Sequence, residues 1–551
     1  MTSAGILQWI AMSLDELVLA LQHRLDRLVR RLRLGPAPAP GGRRFVIVQI
    51  DGLSRGVLRR ALAEGRMPFL SRLLRRHGYR LEPMAVGLPT STPAFMLAMM
   101  YGVHPDIPGF HYHDKRRRCD VYFPRAGDAA WVEAAQAAGR RGILEGGSAY
   151  GCVFTGGAAN NLFSFARLKR PTGRGVVRAL SAGLVLAWVF AKSTVLTVLE
   201  VVRALLRFVA DPVGESRRGW KWRVIKIGIS VWVRQLFTLA VSRDMYAGVP
   251  AIYVNYLDYD VMAHAYGPRH RRALRALRRV DRAIRDLWRV ARRVPEHRYD
   301  LYILSDHGQV ACTPYVRLAG RGLERVLIDE FFAPAGVEPV DTARPHGRRL
   351  VRGIKALRGR REPGLFQRFV NYLAHDFLRM MGELPEAWER AGVRVIGAGP
   401  NAFVYVLASP SPVGIEAFDA QWPGLVDEIS RARGVGFVLA RSAAGPVCIV
   451  QGKRYRLDGA DGHPFARRRD GAYVVEQIRA LMAMPSAGDL VIYGHDAPEG
   501  HVSYVDEVGA HAGPAEEELY TFVLCPAGVS LPAPLTHPTQ LYPHFLGYRA
   551  A

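Results

Sequence analysis

Phe45-Val-Ile-Val-Gln-Ile50 runs straight into Asp51-Gly52. A short, nearly unbroken apolar run reads as a strand covered on both faces, which is how strands of a parallel sheet look. The carboxylate falls at its C-terminal end. The same sentence is written twice more. Ala251-Ile-Tyr-Val-Asn-Tyr-Leu257 leads into Asp258 and Asp260, and Leu301-Tyr-Ile-Leu304 leads into Ser305-Asp306-His307-Gly308. Between the last two, Leu274, Leu277, Val280, Ile284, Leu287 and Trp288 make one helical stripe within Arg269 to Arg293, with arginines on the other faces. Strands alternating with helices predict an α/β fold with an open, mostly parallel sheet flanked by helices. Ligands of such sheets gather beyond the carboxyl ends of the strands, so three acidic strand ends predict a site.

Outward from this core the organisation loosens. Residues 1–34 read as one amphipathic helix with a basic second half, and 35–43 as a Pro/Gly linker before a catalytic domain over 44–551. Asp15 and Glu16 interrupt the apolar face and the arginines come last, so no cleavable signal is expected. Residues 166–247 read as an insertion with apolar runs at Ala179–Leu199 and Val224–Val241, broken by Lys192, Lys226 and Arg234. Buried or lid-like helices and a membrane-contacting hairpin both fit that pattern. Residues 321–395 read as a basic helical cap. Strand-like runs return at Ala402–Leu407, Val447–Val450, Leu490–Tyr493 and Tyr520–Leu524. A cytoplasmic or membrane-associated location follows from this reading, and the oligomeric state is left open.

The 551 residues carry 75 Lys and Arg against 49 Asp and Glu, a net charge of +26. That surplus favours an anionic partner, either a phosphate ester or an anionic membrane surface. No zinc-finger, RNP or helix-turn-helix pattern points to nucleic acid. Five scattered cysteines with no CxxC pair exclude a disulfide framework and a thiolate zinc cluster. The arginine-heavy, alanine-rich composition suggests a bacterial source.

Metal ligands must then be His and carboxylates. Asp51, Asp306 and His307 stand at strand ends. Asp260 and His264 are four apart, so a helix there aims both from one face. His511 lies in Val508-Gly-Ala-His-Ala-Gly-Pro514. Nitrogen and oxygen donors fit zinc or manganese. Leu88-Pro-Thr-Ser-Thr-Pro-Ala94 reads as a turn entering a helix, with Thr92 at the N-cap and Pro93 at the first helical position. A cap hydroxyl sits at the positive end of the helix dipole, where phosphate is also favoured. Beside a metal it becomes a nucleophile.

These motifs together resemble the alkaline phosphatase superfamily, in its type I phosphodiesterase/nucleotide pyrophosphatase branch. The likeness rests on Ile50-Asp51-Gly52, Pro89-Thr-Ser-Thr-Pro-Ala94, Tyr101-Gly-Val-His-Pro105, Asp260-Val-Met-Ala-His264, Tyr266-Gly-Pro268, Ser305-Asp-His-Gly308 and Gly509-Ala-His511. It implies an alkaline-phosphatase-like fold with helical insertions, and two divalent metal ions, usually zinc. Asp51, Thr92, Asp306 and His307 would hold one, and Asp260, His264 and His511 the other. Thr92 would form a phosphothreonine intermediate in phosphodiester hydrolysis. Two departures matter. Phe95 stands where nucleotide pyrophosphatases carry an Asn, leaving the Thr92 amide as one oxyanion donor and Asn160, Asn161 or Asn401 as candidates for the second. Thr92-Pro-Ala-Phe-Met96 does not match the sulfatase motif. A lipid-headgroup phosphotransferase, a phosphonate hydrolase at the membrane, and a non-catalytic binder of anionic membranes are the competing functions.

Overall fold

The strand expected from the opening run is Arg44–Ile50, buried at every residue. In this computed structural model it is the middle member of a seven-stranded sheet. The order is Arg80–Ala85, Tyr520–Cys525, Tyr299–Leu304, Arg44–Ile50, Ala251–Tyr256, Ser148–Tyr150, Asn160–Leu162. The structure describes residues 42–123, 125–162, 232–332, 388–457 and 462–548, with 194, 197 and 198. The three runs that ended in acids are adjacent and parallel, with Val48 opposite both Val254 and Ile303. Only Tyr520–Cys525 runs against the rest, between Tyr299–Leu304 and Arg80–Ala85.

Side chains alternate between the two faces of this sheet. Val46, Val48, Ile252, Val254, Leu301 and Ile303 form one core with the helices Arg55–Ala63, Pro68–Arg76, Arg234–Ala247 and Arg271–Arg293. The stripe on the last of these is buried at Leu274, Leu277, Val280, Ile284 and Leu287. Each such side chain contributes about 1.5–3 kcal/mol by leaving water. Asp281 on the same helix accepts the Phe69 and Leu70 amides at 3.0 and 2.9 Å, satisfying a helix start whose own cap residue, Met67, offers no side-chain bond.

On the other face, Phe45, Ile47, Tyr253 and Tyr302 share a core with the helix Thr92–Tyr101. All ten residues of that helix are buried. Pro538–Leu541 and the helix Tyr542–Gly547 pack on it, and the core it belongs to extends to a second sheet. Ala402–Leu407, Val447–Val450 and Leu490–Tyr493 do not extend the first sheet. They join an antiparallel one of order Trp388–Arg390, Val393–Gly397, Asn401–Val406, Leu490–Tyr493, Phe437–Ala440, Val447–Val450, Lys453–Arg456. Phe403, Tyr405, Phe437, Val491 and Tyr493 reach the shared core, whereas Val404, Val438 and Ile492 face a third one. Tyr520–Cys525 alone among the late runs returns to the first sheet.

Of residues 166–247, residues 194, 197 and 198 and the stretch from 232 onward are described. Arg234–Ala247 is a helix that buries Phe237, Val241 and Met245 against the first sheet. This end of the second apolar run thus contributes side chains to that core. Among the described residues no helix is long and apolar enough to cross a membrane. The helix expected over 1–34, nearly all of the linker, most of Ala179–Leu199, and residues 333–387 lie outside the described residues. Residues 321–332 contain the short helix Leu323–Leu327, and the cap expected over 321–395 ends in a β-hairpin, Trp388–Arg390 turning into Val393–Gly397, rather than in helix.

Candidate metal centre

Three parallel strands end side by side, and their next residues meet. The turn after Arg44–Ile50 is tight: Gly52 has φ +72°, and a Cβ there would lie 2.6 Å from Asp260 Oδ1. The first strand end thus touches the second. Asp51 Oδ2 accepts Asn255 Nδ2 at 2.6 Å. Asp306 Oδ1 accepts the Gly52 amide at 3.3 Å, while its Oδ2 is buried without a hydrogen-bond partner. His307 Nε2 stands 3.3 Å from Asp306 Oδ2, 3.6 Å from Asp51 Oδ1 and 3.1 Å from Thr92 Oγ1. Asp51, Asp306 and His307 therefore offer one set of converging donors, with the Thr92 hydroxyl at its edge.

Asp260 and His264 fall on the helix Asp258–Tyr266, and their i, i+4 spacing brings His264 Nε2 within 3.3 Å of Asp260 Oδ1. His511 completes this second set. Its ring stacks on His307 at 3.7 Å and lies 5.0 Å from His264, so the sets adjoin. Each imidazole is held by its other nitrogen. His307 Nδ1 bonds Gly308 O at 3.1 Å, His511 Nδ1 bonds Thr90 O at 2.9 Å, and His264 Nδ1 meets Gly509 O at 2.8 Å and Glu507 Oε2 at 2.7 Å. Such anchoring through Nδ1 is what orients a histidine for metal binding through Nε2.

The electrostatics are those of crowded, dehydrated charge. Burial, then Asp306 and Asp260, push the Asp51 carboxyl well above its usual range. Burial also raises Asp306, against the pull of His307. Burial opposes ionised Asp260, yet the His264 charge and hydrogen bond hold it low. Burial likewise opposes charged His264, and Asp260 with Glu507 raises it. His511 is driven low by burial and by His307 and His264. Three converging carboxylates with one orphaned oxygen are costly unless a cation compensates them. Two hard-to-borderline donor sets of nitrogen and oxygen fit divalent ions.

All seven residues singled out in the sequence are brought together. One placement is corrected. Ser91, not Thr92, is the N-cap: its backbone is extended and its carbonyl accepts the Phe95 amide at 3.0 Å, so Thr92 is the first helical residue. Its hydroxyl still sits in the first turn of the helix. The choice between neighbouring acids is also clear, since Asp258 turns to Arg234 in a buried pair. Phe95 lies in the apolar core. Asn160 and Asn161 sit on the edge strand, bonded to Ser148 and Ala158. Asn401 is buried in the second sheet, next to a Gly399 turn whose Cβ would lie 3.3 Å from His511 O. Thr90, inside the Pro89–Ala94 motif but given no role there, supports His511, and Glu507 and Gln309, which donates to Asp260, are supporting residues that no motif named. Asn255 and Gln49 were visible as polar residues inside otherwise apolar strands.

Residues 198–354 match the family described as Type I phosphodiesterase / nucleotide pyrophosphatase. The chain resembles that branch of the alkaline phosphatase superfamily. The matched stretch contains Asp260, His264, Asp306 and His307; the geometry adds Asp51, Thr92 and His511 from outside it. No curated protein matches. Among solved structures, phosphonoacetate hydrolase from Sinorhizobium meliloti 1021 in complex with phosphonoformate is 13% identical, with a TM-score of 0.47, covering 93% of this chain and 97% of its own. An inactive murine ectonucleotide pyrophosphatase/phosphodiesterase 5 in complex with AMP is 11% identical, with a TM-score of 0.43, covering 92% and 95%.

Proposed function

We propose that the chain is a metal-dependent phosphodiesterase with Thr92 as its nucleophile. The family match supports a phosphoric ester hydrolase at the coarser level. The observation that carries the finer reading is the Thr92 hydroxyl, 3.1 Å from His307 Nε2, at the edge of two adjoining donor sets. Asp51, Asp306 and His307 would hold one divalent ion beside Thr92, and Asp260, His264 and His511 a second. Ions held there would supply a lowered hydroxyl pKa and compensation for the charge on the leaving oxygen.

The chain's own part follows from position. Thr92 Oγ1 attacks phosphorus, the bond to the leaving alkoxide breaks, and water then releases the phosphoryl group and restores the hydroxyl. Thr92 lies in the first helical turn, where amides are unpaired within the helix and negative charge is favoured, so the phosphoryl oxygens are held there. The core that buries the whole of Thr92–Tyr101 fixes the hydroxyl in place.

The test is hydrolysis of bis-p-nitrophenyl phosphate and p-nitrophenyl phosphate by purified protein, after chelation and again after adding zinc or manganese. Metal-restored turnover that is faster on the diester is expected. Faster monoester turnover would move the function to phosphatase, and no turnover of either with any metal would sink the hydrolase reading.

A further inference from the structure

Outside this centre, His495, Asp496 and His501 bring three more ligand atoms within 4.8 Å of one another. They lie on the loop between the strand Leu490–Tyr493 and the short strand Val502–Ser503. His495 is 5% exposed, and its Nε2 is buried without a well-formed hydrogen bond, 3.2 Å from Asp496 Oδ2. A buried ring nitrogen left in that state is costly, and the Asp496 carboxylate is the group beside it. The His501 ring stacks on His495 at 4.7 Å, with Nδ1 accepting the Asp496 amide at 3.3 Å and lying 3.6 Å from Asp496 Oδ1. Asp496 is three-quarters exposed and adopts a left-handed φ of 55°. The Asp496 carboxyl is held below its usual range first by His495, then by His501 and Arg468, and Arg468 is itself bound to Asp470 at 2.9 Å.

We propose that His495, Asp496 and His501 bind a further divalent transition-metal ion, distinct from the catalytic pair. Two imidazoles and one carboxylate are a donor set suited to zinc, with water completing the coordination. Its position gives it a structural purpose. The loop is closed at its base by the Val502 amide on Gly494 O at 2.8 Å. Immediately beyond, Ser503 Oγ donates to Glu507 Oε1 at 2.7 Å, and Glu507 meets His264. A metal clip across His495 and His501 stiffens the loop that leads into this support.

The experiment counts metal on the full chain, dialysed at fixed free zinc and analysed by mass spectrometry, for the parent, His501→Ala, Asp496→Asn and Asp306→Asn. His501 is partly exposed and Asp496 largely so, which makes both changes tolerable to the fold; circular dichroism checks this. His501→Ala and Asp496→Asn are expected to hold one equivalent less than the parent, and zinc is expected to raise their melting temperatures less. Asp306→Asn is expected to lose metal from the catalytic centre and keep this ion. Equal zinc in the parent and in both loop variants overturns the proposal, whatever Asp306→Asn shows. Loss in the loop variants with no change in Asp306→Asn supports this site and counts against the catalytic pair.

Discussion

Thr92 and Glu518 show how a single residue's surroundings set its chemistry. The Thr92 hydroxyl has no base of its own beyond the metal-ligand cluster around His307. Thr92→Ala is expected to lower diester turnover by at least ~10³-fold, since the covalent step is lost. Its metal content, measured alongside, should be nearly unchanged because six other donors remain. Glu518 is fully enclosed and accepts the Gly513 and Ala515 amides, each at 3.0 Å. Burial pushes its carboxyl up from 4.5 to about 8. The native state therefore binds this proton more tightly than the unfolded chain does. Its contribution is fully present below about pH 4.5 and is lost as pH rises through about 8, by at most ~1.4 kcal/mol per pH unit. Denaturant titrations at pH 5 and pH 8 should show a smaller difference in Glu518→Gln than in the parent. At this scale much was readable: acids closing apolar runs, and an Asp and a His four apart. Glu507 was not, because its partner His264 is set by tertiary contact and no spacing rule joins them.

Elements are held by a few buried charges. Arg234, on the helix Arg234–Ala247, is almost fully buried against Asp258 at the start of the helix that carries Asp260 and His264. Arg279 approaches the same carboxylate at 3.9 Å. Removing one partner of such a pair strands a dehydrated charge and costs about 3–5 kcal/mol, less whatever Arg279 recovers. Arg234→Met should therefore lower the urea midpoint by an amount corresponding to about 2–4 kcal/mol, and an unchanged midpoint would show that Arg279 suffices. The helix Arg271–Arg293 and the central strands were legible because their periodicities are local. Which sheet a late strand joins was not. Val447–Val450 and Tyr520–Cys525 look alike as short apolar runs, and only long-range register assigns them to different sheets.

Across the whole molecule, the centre is a joint between the two sheets. Asp51, Asp260 and Asp306 follow strands of the first. His511 arrives on the chain that travels from Leu490–Tyr493 of the second sheet back to Tyr520–Cys525 of the first, and Tyr493 OH reaches Ala512 O at 3.3 Å. A bound ion stabilises the folded chain in proportion to its affinity for that state. Chelation should accordingly lower the melting temperature, with zinc or manganese restoring it. A melting temperature indifferent to chelator would mean that the carboxylates are compensated in some other way. The α/β class was legible at this scale, and so was the convergence of the acidic strand ends on one place, because neighbouring parallel strands end side by side. The second sheet was not, since alternating runs do not announce where one sheet stops.

The place of Tyr520–Cys525 also has a consequence in time. Arg80 and Cys525 are register partners 445 positions apart. At ~5–20 residues per second, a ribosome takes roughly 20–90 s to make that span. Throughout it, Arg80–Ala85 has no strand beside it, and the open flank of Tyr299–Leu304 waits as well once it has emerged. Newborn chains therefore carry unpaired β edges until Tyr520–Cys525 has emerged, and edges left open that long are exposed to pairing with other chains.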